Sequence, residues 1–164
     1  SNHKDTWDSA TFTGACDAVW VQVEGAPLGW KIKQDAIQAA PKVPDEVVRG
    51  GMAAFEEKYN AGDFEFCGSC YTDECHVTVN GGKDSGGFGP FTTPAEVAGF
   101  LKTLRDDMGA KDMKFAVTDI SGSNHKDTWD SATFTGACDA VWVQVEGAPL
   151  GWKIKRDSIA ASPK

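Results

Sequence analysis

Three groups of residues in this chain carry side chains that do chemistry. Cys67-Gly68-Ser69-Cys70 has the Cys-x-x-Cys spacing at which a thiolate held near a helix N-terminus exchanges disulfides. Redox proteins of the thioredoxin type place that motif after a strand in a βαβ context, whereas here it falls inside a short amphipathic helix. Small buried apolar residues are therefore the better reading of these cysteines. A structural disulfide joining Cys75 or Cys70 to Cys138 is the alternative. Cys67, Cys70, Cys75 and His76 are also four zinc-ligand types, but residues 75 and 76 are adjacent on an expected strand and point to opposite faces, which disfavours tetrahedral closure. No metal and no cofactor is expected. The third group is the loop from Gly81 to Pro90 around Lys83. A phosphate cradle needs Gly-Lys followed by Ser or Thr opening a helix, and Lys83 is instead followed by Asp84, ten residues before the next helix. The expectation is a loop at a pocket mouth, with Phe88 and Phe91 as lids.

The elements that must position these residues follow from periodicity. Pro44, Asp45 and Glu46 suit a first helical turn, Val48, Met52, Phe55 and Tyr59 recur at helical spacing, and Asn60-Ala61-Gly62 ends the run. Asp63 caps a second short helix reaching Cys70. Cys75 to Asn80 alternates as a strand, with Cys75, Val77 and Val79 on one face. Thr93-Pro94-Ala95-Glu96 is a capping box that opens a third helix with the stripe Val97, Phe100, Leu101, Leu104 and Met108. After Gly109 come four strand-like runs, Met113 to Ile120, His125 to Phe134, Ala137 to Glu146 and Leu150 to Ile159, given bulk by Trp129, Trp142 and Trp152. Helices packed on one face of a mostly antiparallel sheet make an α+β fold.

With 164 residues and 41% apolar composition, the chain holds enough material for one buried core with an appendage. A net charge of −8 excludes the basic face that nucleic acid or an anionic membrane surface requires. The longest apolar runs are too short to span a bilayer as helices. Five cysteines favour neither an oxidising nor a reducing compartment.

Residues 1–42 repeat residues 123–164 with four differences: Gln34 against Arg156, Ala36 against Ser158, Gln38 against Ala160 and Ala40 against Ser162. The differences are two residues apart, which places them on one side of an extended segment, expected to be the solvent side. One complete unit, 43–164, is thus expected to follow the closing strands of a preceding one, with the linker starting near Ala39.

The order helix, helix, strand, helix, strands, together with Phe55-(three residues)-Tyr59-Asn60-Ala61-Gly62-Asp63, Tyr71-Thr72-Asp73-Glu74-Cys75 and Trp152-Lys153-Ile154, resembles the NTF2-like superfamily. The likeness is to its SnoaL-like and ketosteroid-isomerase-like branches. It implies a cone: a strongly curved, mostly antiparallel sheet wrapped around three N-terminal helices, with a pocket at one end. The isomerases use an aspartate base and a tyrosine oxyanion donor. Anchored on Asn60-Ala61-Gly62-Asp63, those positions fall on Val79 and Phe55, which neither take a proton nor donate a hydrogen bond. Cys67, Cys70 and Cys75 fall where the isomerases hold apolar or small residues. The SnoaL-like cyclases use other acid–base pairs, for which His76, His125, Asp127 and Asp157 are the candidates. The resemblance further implies a pocket lined by Phe55, Tyr59, Val77, Val79, Phe100, Phe115, Trp129, Trp142 and Trp152, taking a small apolar ligand.

Residues 1–42 carry Trp7, Phe12, Trp20, Val21, Val23, Trp30 and Ile32 without a covering layer, and strands of that kind are marginal alone. They are expected to pack in cis or to pair with a second molecule, in the extreme as a filament. The leading expectation is a non-catalytic repeat module with an assembly role. The alternative is a SnoaL-like small-molecule binding protein or an acid–base isomerase or cyclase.

Overall fold

The computed structural model describes residues 1–164, the side chains of Asp35 and Gln38 excepted. Residues 1–42 and 43–164 form two separate units. In the first, β1 (Asn2–Asp8), β2 (Phe12–Gln22) and β3 (Trp30–Pro41) make a three-stranded antiparallel sheet in the order β1-β2-β3. Its tight turn is held by Ser9, whose Oγ accepts from the Phe12 N–H and donates to the Phe12 carbonyl.

The second unit begins with α1 (Asp45–Ala61), whose acidic first turn and Lys58 in the last turn match the helix dipole. Val48, Met52, Phe55 and Tyr59 are its buried stripe. Gly62 closes the helix at φ 83°, a left-handed conformation that costs glycine little. The chain then runs through α2 (Phe64–Ser69), capped by the Asp63 carboxylate, into β4 (Tyr71–Val79). A 3-10 turn at Lys83–Ser85 leads into β5 (Phe88–Phe91), which doubles back on β4. The capping box predicted at Thr93 and Glu96 starts α3 (Pro94–Asp106). A meander of β6 (Lys114–Ser121), β7 (Asn124–Asp130), β8 (Phe134–Gln144) and β9 (Trp152–Pro163) completes the unit.

The six strands form one curved mixed sheet in the order β5-β4-β9-β8-β7-β6, antiparallel except for the β4–β9 pair. Irregular registers at Val117/Asp119 and Val141/Trp142 add local bend. The three helices supply Val48, Phe55, Cys67, Val97 and Leu104 to a core closed by Trp129, Trp142, Trp152 and Ile154 from the sheet. This is the α+β architecture expected.

Several boundaries differ from the sequence reading, each for a physical reason. The third helix lies after β4 and β5, so only two helices precede the sheet. The first strand starts at Tyr71 instead of Cys75, because Tyr71 already pairs with Ile154 of β9. Phe134 opens β8 and does not end β7: Ser131 makes the same side-chain turn there that Ser9 makes in the first unit. The last strand continues beyond Ile159 to Pro163, because β8 offers partners as far as Phe134. The segment expected as a plain loop contains β5.

Candidate functional site

A cavity of about 130 Å³ lies in the second unit, between the helices and the concave face of the sheet. Met52, Phe55 and Tyr59 reach it from α1, Phe100, Leu101 and Leu104 from α3, and Phe115, Trp129 and Ile159 from the sheet. Most of its wall is apolar. The polar exceptions include Tyr71, His125, Asp127 and Asp157 on β4, β7 and β9, and Asn80 just after β4.

Strand alternation places His125, Asp127 and Trp129 on the inner face of β7, where all three are buried. Nε2 of His125 lies 2.8 Å from Oδ2 of Asp127. The indole N–H of Trp142 donates to Nδ1 of the same ring at 2.7 Å. Since an indole nitrogen only donates, Nδ1 carries no proton, and the imidazole proton must sit on Nε2 and be donated to Asp127. His125 therefore has both nitrogens engaged, and Asp127 is the group left with capacity: its Oδ1 is buried with no hydrogen-bond partner among the described residues.

The second carboxyl is Asp157 on β9. The Tyr71 hydroxyl donates to its Oδ2 at 2.9 Å, and its Oδ1 is again buried without a partner among the described residues. Burial pushes the Asp157 carboxyl up to about 7, with the Asp127 charge adding to the rise and the Tyr71 hydrogen bond opposing it. Burial, reinforced by Asp157, likewise holds the Tyr71 hydroxyl well above its ordinary range. Cys138 stands beside both carboxyls, and burial together with their charges keeps its thiol neutral.

Of the four acid–base candidates, the structure brings His125, Asp127 and Asp157 to one cavity and leaves His76 exposed on the outer face of β4. Phe55, Tyr59, Val79, Phe100, Phe115 and Trp129 are among the residues that line the cavity. Val77, Trp142 and Trp152 do not: they are buried in the core behind its wall. Val79 and Phe55 both face the cavity as apolar wall. Tyr71 was missed as a site residue. Its signal was parity, since it shares the inward face of β4 with Cys75, Val77 and Val79 once the strand is started four residues earlier. Phe88 is at the cavity wall, and Phe88 and Phe91 both pack on Phe100, at centroid distances of 5.4 and 4.9 Å.

The cysteine motif takes no part. All five cysteines are free thiols, so neither Cys70 nor Cys75 is bridged to Cys138. Burial pushes the Cys67 thiol up to about 12 and the Cys70 thiol up to about 11, the reverse of a reactive thiolate. Among the described residues no three His, Cys, Asp or Glu side chains are grouped to hold a metal ion.

In the first unit, Trp7, Phe12, Trp30 and Ile32 are exposed, and Trp20, Val21 and Val23 are half-buried.

No family model matches the sequence, and no curated protein does. Solved structures do match. A protein of unknown function with a cystatin-like fold from Methylobium petroleophilum PM1 superposes with a TM-score of 0.55 at 16% identity, over 75% of this chain and 79% of that one. An NTF-2 like protein of unknown function from Shewanella oneidensis MR-1 gives 0.53 at 16% identity, over 72% of this chain and 99% of that one. A conserved protein from Planctomyces limnophilus DSM 3776 gives 0.56 at 13% identity, over 72% and 95%. At these identities the likeness is one of fold: the three helices and curved sheet of this chain are the cystatin-like fold of NTF2-like proteins.

Proposed function

We propose that the second unit binds a small, mainly apolar molecule in its cavity and transfers a proton on it, Asp127 acting as base and the Asp157–Tyr71 pair as hydrogen-bond donor. The observation that carries this reading is the pair of buried carboxyl oxygens, Oδ1 of Asp127 and Oδ1 of Asp157, left unpartnered beside an apolar cavity. Burying a polar oxygen without a partner costs about 1–3 kcal/mol, an arrangement that pure core packing would remove. A ligand bearing one proton to give and one oxygen to receive a hydrogen bond would satisfy both.

The two carboxyls suit different tasks. Asp127 is held through Oδ2 by His125, whose tautomer Trp142 fixes, and keeps Oδ1 as an unpartnered acceptor on a residue that lines the cavity. Asp157, with its affinity for a proton raised to about 7, is half-protonated near neutral pH and can donate to an oxygen on which charge develops. The reaction class is proton abstraction beside a carbonyl, as in an isomerase or cyclase. A cavity of about 130 Å³ is close to the roughly 150 Å³ that accommodates a benzene ring, so a one-ring or partly inserted two-ring substrate fits. This reading replaces the non-catalytic module as the better supported one, because the acid–base groups are present on β7 and β9 although the isomerase positions at Val79 and Phe55 are apolar.

The test is deuterium exchange at the α-carbon of a panel of one- and two-ring ketones, followed by NMR. Exchange above buffer that falls at least about a hundredfold in Asp127→Asn supports the assignment. Neither binding nor exchange with any ketone, or exchange unchanged in Asp127→Asn, would overturn it.

A further inference from the structure

The sheet of residues 1–42 reproduces, strand for strand, the β7–β9 part of the second unit. Registers coincide: Asp5 pairs with Cys16 as Asp127 pairs with Cys138, and the irregularity at Val19/Trp20 matches that at Val141/Trp142. What differs is cover. Trp129 is 4% exposed where its counterpart Trp7 is 40% exposed, and Ile154 is 3% exposed where Ile32 is 48%. In the second unit the covering material is all supplied by residues 43–122. Their helices pack on the face, β6 pairs with the free edge of β7, and β4 pairs with the free edge of β9. The first unit has the same face and the same two edges, the outer sides of β1 and β3, unpaired within its sheet.

The four sequence differences leave that interface intact. Arg156, Ser158, Ala160 and Ser162, the divergent positions in the covered copy, are all exposed there. Every residue that β7–β9 presents to the helices and to the cavity is therefore unchanged in residues 1–42. The 43–122 segment of this chain is already occupied by its own β7–β9, so a chain of this sequence carries two closing sheets for one helical layer.

We propose that the uncovered face of residues 1–42 is a docking surface whose occupant is a second segment with the sequence of residues 43–122. Docking reproduces an interface that the structure already contains, on its face and on both edges, and covers apolar surface that is otherwise in water. It also completes a site. His3, Asp5 and Trp20 are the counterparts of His125, Asp127 and Trp142, and Asp35 holds the sequence position of Asp157. Without cover, His3 and Asp5 are exposed and their ring nitrogen and carboxylate are 3.9 Å apart, against 2.8 Å in the buried pair. Residues 1–42 thus carry the sheet half of a second pocket, and the incoming segment brings the Tyr71 half. The docking stands on the interface alone; only the chemistry of the second pocket rests on the function proposed for the first.

The experiment adds a second copy of residues 43–122 directly ahead of Ser1 in the full chain and follows amide hydrogen exchange by mass spectrometry. The backbone of Asn2–Asp8 and Phe12–Gln22 is expected to gain protection of at least about a hundredfold over the 164-residue chain. The His3 ring should take on the nitrogen chemical shifts of His125. Trp20→Asp in the extended chain should abolish that gain while residues 43–164 keep theirs. Unchanged exchange in β1–β3 on adding the segment would overturn the proposal, as would protection that survives Trp20→Asp. It would equally be overturned if the 164-residue chain alone protected this face in a concentration-dependent way, because the occupant would then be another copy's sheet. These readouts need no turnover, so loss of ketone exchange at the first pocket leaves them unaffected.

Discussion

The indole Nε1 of Trp142 and Nδ1 of His125 are 2.7 Å apart, and that contact decides which imidazole nitrogen faces Asp127. A donor-only indole on Nδ1 forces the proton onto Nε2, and the Nε2 proton in turn holds Oδ2 of Asp127, leaving Oδ1 without a hydrogen-bond partner among the described residues. A tryptophan behind the cavity wall thereby sets the state of a residue on it.

Trp142→Phe removes this donor together with the second ring of the indole, which is buried in the core. The variant is expected to lose about 1–3 kcal/mol for leaving Nδ1 buried without a partner, plus a cavity cost for the missing ring. Urea unfolding measures the loss, and nitrogen-15 NMR of the imidazole should show that the His125 ring is no longer held in a single tautomer. A ring that stays in the Nε2–H form would mean that Asp127 alone sets it.

Asp157 gives the protein a distinctive pH dependence. Its folded value, about 7, lies above the ordinary carboxyl value of about 3.9. The native state therefore binds a proton that the unfolded state has released between about pH 4 and pH 7, and this contribution to stability declines as pH rises through that window, then levels off. Denaturant unfolding at several pH values should show the decline in the wild type and a flatter profile in Asp157→Asn. A profile identical in both would place the proton elsewhere.

The Cys67 and Cys70 thiols are expected to resist alkylation. With burial raising them to about 12 and about 11, fewer than about one thiol in a thousand is ionised at pH 8. Iodoacetamide labelling of the native protein, read by peptide mass, should leave both unmodified until the protein unfolds, and Cys67→Ser should not alter ketone exchange.

The capping box at α3 holds up one wall of the cavity. Thr93 Oγ1 accepts from the Glu96 N–H at 3.3 Å, and the Glu96 carboxylate accepts from the N–H groups of Thr92 and Thr93. Thr93→Ala should cost about 1 kcal/mol, visible as a lower unfolding midpoint. Because Phe100, Leu101 and Leu104 project from this helix into the cavity, ligand affinity should weaken with it.

Helix stripes, caps and strand alternation were legible in the sequence because each is set within a few residues. Val48, Met52, Phe55 and Tyr59 announce α1, and Thr93 with Glu96 announces α3. The site was only partly legible. His125, Asp127 and Asp157 could be named as acid–base types, but nothing local separates them from His76, which ends on the outer face. Tyr71 and Asp157 are 86 positions apart and meet only because β4 and β9 pair in parallel.

The two copies within the chain separate these levels directly. In both, a serine closes the turn before β2 or β8, a tryptophan ring lies over a glycine (Trp7 on Gly14, Trp129 on Gly136), and Gly25 and Gly147 adopt φ of 78° and 80°. Sequence by itself determined those features, since neighbours in one hairpin are enough to make them. Burial of the tryptophans, closure of the His–Asp contact from 3.9 to 2.8 Å and the indole lock on the imidazole belong to the covered copy. Only the tertiary structure decided these, because a histidine and a carboxylate in water gain little by pairing, and it takes the helices of residues 43–122 to exclude the water that competes with them.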